Sequence, residues 1–121
     1  MLGDYNTDPI SYSALARPQK TAIVDLSTGQ RISYAELGDL ADRAARWLSE
    51  ELGDSVEGER VAYLGRNGLE LLVVALGAER CGATFVPMNW RLATPELEAL
   101  LVDCAPRLVI DRLARRTGGY H

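Results

Sequence analysis

The chain has 121 residues, 47% of them hydrophobic, which is enough for one buried core and too few for two full domains. Its 17 acidic and 13 basic side chains are spread along the sequence and give a formal net charge of −4, so no basic face of the kind a nucleic-acid backbone requires is present. The longest nearly apolar stretch, Leu71 to Ala78, is far shorter than the roughly 20 residues a membrane-crossing helix needs, and no basic-then-apolar leader opens the chain, where Asp4 and Asp8 stand; a cytoplasmic setting is expected.

Residues 1–18 mix Gly3, Asn6, Pro9 and Pro18 with a short Ser11 to Arg17 segment and read as a loosely ordered lead holding a helical turn or two. Thr21 to Asp25 is a β-prone run, Ser27-Thr28-Gly29-Gln30 supplies turn chemistry, and Arg31 to Tyr34 resumes the alternation; together they predict a β-hairpin. Ser33 and Glu36 have capping-box spacing. Behind them Leu37, Leu40, Ala41, Ala44, Ala45 and Leu48 recur at helical intervals, predicting an amphipathic helix that ends near Gly53.

Arg60 to Leu64 reads as a short apolar strand, and Asn67 with Glu70 repeats the capping-box spacing before a second helix that Gly82 terminates. From Leu69 to Ala78 this helix is apolar nearly all round, which predicts a buried central helix. Ala83 to Met88 is the next strand, with Pro87 expected to mark its end. Thr94 and Pro95 predict an N-cap and a first-turn proline for a helix carrying Leu97, Leu100, Leu101 and Cys104, and Pro106 stops it before the strand Leu108-Val109-Ile110. The expected fold class is α/β: a β-hairpin, then strand-helix units forming a mainly parallel sheet over residues 19–110. Residues 111–121, with Arg112, Arg115, Arg116 and Gly118-Gly119, are expected to form a flexible tail.

Few residues offer chemistry. Cys81 and Cys104 lie outside any CxxC or Cys/His cluster and read as reduced packing residues, while the one histidine, His121, is terminal, so no metal site is indicated. The only lysine is Lys20, ahead of the first strand. The pairs Asp39/Asp42 and Glu50/Glu51 fall on the polar side of a helix, and the serines have no internal histidine partner, so neither acid-base nor Ser/His/Asp catalysis is supported. Gly65-Arg66-Asn67-Gly68 carries part of the glycine spacing that opens backbone N–H groups to an anion, or simply makes a tight turn.

Pro87-Met88-Asn89-Trp90-Arg91-Leu92 is the most distinctive local feature. It sets an amide, an indole and a guanidinium at the C-terminal end of a strand, the side on which open α/β sheets present ligands. Arg91 suits a carboxylate or phosphate, Trp90 an apolar surface, and Asn89 a ligand or backbone hydrogen bond. The purely structural alternative has Asn89 tying the loop, Trp90 packed, and Arg91 paired with an acid such as Glu96.

In order, Pro18 to Val24, Ile32 to Leu37, Arg60-Val61-Ala62, Asn67 to Glu70, Gly82-Ala83, Phe85 to Leu92 and Thr94 to Leu97 resemble the start of the large N-terminal domain of the AMP-forming acyl-CoA synthetases. The resemblance implies a family that converts a carboxylate, ATP and CoA, with Mg, into an acyl thioester through an acyl-adenylate. It implies that Asn89, Trp90 and Arg91 lie on the CoA side of the site as cofactor-binding residues. The family's Ser/Thr/Gly-rich phosphate loop, adenine motif, ribose-binding aspartate and late adenylation lysine have no counterpart in these residues, so no catalytic residue is assigned and no cofactor is expected for the chain by itself. The expected role is that of an N-terminal fragment or stand-alone subdomain of such a ligase, inactive alone, whose partner is the remainder of a ligase or a partner subunit. The alternatives are an interaction or self-association module, including a homo-oligomer, and a small nucleotide-binding α/β domain using Gly65 to Gly68.

Overall fold

The capping box at Ser33 forms as the sequence predicts: in the computed structural model, which describes residues 9–113, Glu36 N–H donates to Ser33 Oγ at 3.1 Å and Ser33 N–H to Glu36 Oε1 at 2.8 Å. Two compact units divide the chain, Met1–Arg43 and Ala44–His121. Residues 1–8 of the lead and 114–121 of the tail lie outside the described residues.

The first unit holds α1 (Pro9–Ala16), β1 (Thr21–Val24), β2 (Arg31–Ser33) and the opening of α2 (Tyr34–Leu52). The predicted hairpin is present, with β1 and β2 antiparallel, Val24 opposite Arg31, and an irregularity between Thr21 and Ile23. Its turn closes on Asp25, whose Oδ1 accepts from Ser27 Oγ at 2.6 Å and Ser27 N–H at 2.9 Å; those two bonds hold its carboxyl below the usual carboxylate value. Gly29, at φ 77°, supplies the left-handed residue the turn needs.

The second unit contains the rest of α2, β3 (Arg60–Leu64), α3 (Leu69–Cys81), β4 (Thr84–Met88), α4 (Thr94–Cys104) and β5 (Leu108–Asp111). Its three strands are parallel in the order β4-β3-β5, the α/β arrangement expected from alternating strands and helices. Side chains alternate between the two sheet faces, as the twofold strand period requires. On one face Ala62, Leu64, Met88 and Val109 pack with Leu97 and Leu101 of α4. On the other, Val61 packs with Leu48 and Leu52 of α2 and Ala78 of α3, with Phe85, Leu108 and Ile110 beside them. Burying each of these leucines contributes about 2 kcal/mol, and Leu48, Leu52 and Leu97 have no exposed surface. The two cysteines are free and half-buried, one against each core.

Four details differ from the sequence reading. Asn67 and Glu70 make no capping box; Gly68 is the N-cap of α3 without a side-chain bond, because Glu70 is committed elsewhere. Pro87 lies inside β4, opposite Tyr63 of β3, and is tolerated because β4 is an edge strand. Ala93 takes the N-cap position of α4 and Thr94 the next, with Glu96 accepting from Ala93 N–H at 3.0 Å. Finally, Leu71 to Leu76 of α3 are half-buried, and only Gly77 and Ala78 are fully covered. Gly82 does end α3, at φ 90°, with Gly82 N–H donating to Glu79 O and Ala83 N–H to Ala78 O. Among the described residues no helix is long and apolar enough to cross a membrane.

Candidate functional site

Register sets the site. Leu64, the last residue of β3, is level with Met88 of β4 and Asp111 of β5, so the three parallel strands end abreast and their following loops leave from one rim. This is the rim on which open parallel sheets bind ligands.

Asn89, Trp90 and Arg91 occupy the loop leaving β4. Asn89 folds it: its Oδ1 accepts from Arg91 N–H at 3.0 Å and its backbone carbonyl from Leu92 N–H at 3.1 Å, an Asx turn inside a β-turn. Trp90 is half-buried against the core that includes Leu97 and Leu101. Arg91 is exposed, and its guanidinium carbon lies 4.9 Å from the centre of the Trp90 ring rather than on Glu96, which is engaged at the head of α4. Asn89 and Trp90 therefore make the contacts of the structural alternative, whereas Arg91 replaces its expected acid partner by the indole face.

The β3–α3 loop meets this loop. Arg66 is exposed and sets its guanidinium carbon 4.5 Å from the Trp90 ring centre, so two cations from neighbouring loops share one indole. Spacing within the sequence gives no sign of this pairing; the signal is the register that places Leu64 beside Met88. Gly65, next to Arg66, leaves no room for a side chain over Tyr63, since a Cβ there would stand 2.8 Å from Tyr63 Cε1.

Behind the rim, Tyr63 is 2% exposed and donates its hydroxyl to Glu70 Oε1 at 2.7 Å. Arg112, just past β5, brings Nε to the same oxygen at 2.8 Å. Burial, and then the hydrogen bond to the Glu70 carboxylate, push the Tyr63 hydroxyl from 10.0 to about 12, Arg112 opposing. This cluster joins β3, α3 and the exit of β5 and fixes the loop that carries Arg66. Among the described residues no group of His, Cys, Asp and Glu is placed to hold a metal ion. The rim's chemical capacity is the binding of anions by guanidinium groups braced on an aromatic ring.

The family described as AMP-binding enzyme matches residues 10–118. The chain is similar to indoleacetate–CoA ligase of Aromatoleum aromaticum, at 41% identity over 92 residues, 76% of this chain and 17% of that protein. It is also similar to the long-chain-fatty-acid–CoA ligase FadD13 of Mycobacterium tuberculosis, at 40% identity over 80% of this chain and 19% of the ligase. It thus spans under a fifth of either. Among solved structures, a fatty acyl CoA synthetase of Mycobacterium tuberculosis superposes with a TM-score of 0.76 at 38% identity, over 83% of this chain and 20% of that one. The N-terminal domain of FACL13 from the same organism gives a TM-score of 0.78 at 32% identity, over 92% and 31%. With nearly all of its described residues inside that match and its fold repeated in these N-terminal domains, the chain belongs to the AMP-binding enzyme family, as an N-terminal portion of it.

Proposed function

We propose that this chain supplies the scaffold and the CoA-side rim of an AMP-forming acid–CoA ligase. The observation that carries this reading is the joint agreement of sequence and fold with acyl-CoA ligases over most of the chain. In the complete reaction a carboxylate attacks the α-phosphorus of ATP, giving an acyl-adenylate and pyrophosphate. A CoA thiol then displaces AMP to form the thioester. The first step requires charge stabilisation around the transferred phosphates, and these 121 residues contain a single lysine, Lys20, and no Ser/Thr/Gly-rich phosphate loop. The adenylation groups therefore belong to a remainder of the ligase or to a partner subunit, and the chain alone does not activate an acid.

Asn89, Trp90 and Arg91 are proposed as the CoA-facing residues, supported by their place at the C-terminal end of β4 and by the exposed guanidinium of Arg91. The test has two arms. Purified chain incubated with ATP, Mg²⁺, CoA and a panel of aryl and fatty acids is expected to release no pyrophosphate; release would overturn the silent role. In an isotope-labelled sample, CoA is expected to perturb the amide signals of residues 89–91, and perturbation confined elsewhere would remove the loop from the site.

A second reading, docking through α3, draws on its half-buried apolar run. Leu76, Ala75 and Phe85 line an open hollow beside Ala83 and Thr84. Light scattering that finds only monomer at high concentration would exclude the self-associating form of this reading.

A further inference from the structure

We propose that the outer edge of β4 and the hollow beside α3 form a short docking site for an extended segment of a partner chain, one that carries a large apolar side chain and, two residues away, an arginine or lysine. This deepens the docking reading of α3, on which it rests, by naming the chemistry of what docks.

The edge supplies the backbone half of the site. Among the described residues β4 ends the sheet order. Thr84 N–H donates to Glu59 O at 2.8 Å, so Thr84, Val86 and Met88 turn their backbone groups toward β3. The alternation of a parallel ladder sends those of Phe85 and Pro87 outward. Proline has no N–H to give, and Ala83 N–H is already used by Ala78 O at 2.9 Å. Within β4, Phe85 thus offers both a donor and an acceptor to an added strand, and Pro87 stops the pairing one step later.

The hollow supplies the side-chain half. Residues paired across a ladder set their side chains on the same face of the sheet. Phe85 packs on the α3 face, so the residue that pairs with it projects over α3. There Ala75, Leu76, Ala83 and Phe85 line a hollow of about 470 Å³, room for a leucine or phenylalanine side chain. All four are half-buried, and an apolar group seated among them takes further surface out of water.

Charge selects the neighbouring residue. Glu79 lines the same hollow and is exposed, while Glu57 Oε1 lies against Gly82, 2.7 Å from where a Cβ would stand. Among the described residues neither side chain has a hydrogen bond or an ion pair, and Arg80, the only basic residue of α3, has a partner of its own. Side chains that share a face of a strand are two residues apart. A cation at that spacing from the apolar anchor therefore meets these carboxylates.

Titration of the isotope-labelled 121-residue chain with acetyl-Thr-Arg-Thr-Leu-Thr-Arg-Thr-amide tests this. Its leucine has an arginine two residues away on either side, so both strand directions are served. The peptide is expected to shift the amide signals of Ala83, Thr84 and Phe85 and to leave that of Val109 in place. Serine for the leucine is expected to weaken binding at least about tenfold. Ala75→Phe fills the hollow and is expected to abolish binding; the exposed Glu79→Gln, which leaves the fold alone, is expected to weaken it about threefold. Asp103→Asn removes an equal charge from α4, on the other face of the sheet, and is expected to leave affinity unchanged. No shift at Phe85 with millimolar peptide, or equal binding of the serine peptide, overturns the site. Equal weakening by Asp103→Asn and Glu79→Gln overturns the charge pairing. Self-association in light scattering without peptide binding keeps α3 as a docking face and overturns the edge site.

Discussion

Tyr63 and Glu70 are joined by a 2.7 Å hydrogen bond from the phenol to the carboxylate, across the loop that connects β3 to α3. Tyr63→Phe is expected to lower stability by about 1 kcal/mol, a modest loss because Arg112 still neutralises Glu70. Urea denaturation measures it.

The same contact predicts a pH response. The Tyr63 hydroxyl ionises near 12 in the folded chain against 10.0 unperturbed, so between those values the folded state holds a proton the unfolded state has released. The stabilisation is complete below pH 10 and falls as pH rises through 12, by an amount on the order of 2 kcal/mol. Absorbance titration should show one of the five tyrosines ionising late, and Tyr63→Phe should remove that late step.

Gly77 lets α3 approach α2. A Cβ built at this position would lie 2.6 Å from Ala44 Cβ and 2.9 Å from Ala45 N. In an exposed helix Gly→Ala gains up to about 1 kcal/mol; here overpacking reverses the sign, and Gly77→Ala is expected to cost about 1–3 kcal/mol. Thermal melting decides the sign.

Ala105 closes α4 in the left-handed region, at φ 49° and ψ 56°, with its N–H on Leu101 O at 2.8 Å. A side chain is strained there, so Ala105→Gly is expected to stabilise the chain by roughly 1 kcal/mol despite glycine's greater unfolded freedom. A rise in the melting temperature is the readout.

Asn89 can be tested apart from any ligand. Asn89→Ala removes the acceptor for Arg91 N–H and is expected to cost about 1 kcal/mol, while Asn89→Asp retains the turn. Chemical denaturation of both variants separates loss of the oxygen from loss of the amide.

Local chemistry was the part of this fold most open to reading from sequence. Ser33 and Glu36 cap α2 because both partners sit within one turn and neither is drawn elsewhere. Asn67 and Glu70 share that spacing, yet Glu70 turns to Tyr63 and Arg112, partners that only the sheet brings near. The parallel strands followed from their alternation with helices, but Pro87 inside β4 required knowing that β4 is an edge. For α3, the apolar run from Leu71 to Leu76 states that cover is wanted without stating what provides it, and the side chains are half-buried. At the rim, the Asx turn of Asn89 was legible as loop chemistry. Arg66 over Trp90 was not, since it depends on which strands are neighbours.

Pro87 carries a further consequence for colloidal behaviour. β4 ends the sheet order, and a foreign strand that adds to its outer side meets a residue with no amide hydrogen to give. Templated growth from molecule to molecule is interrupted at that step, so the proline acts as a guard against fibre formation on a margin that would otherwise invite it.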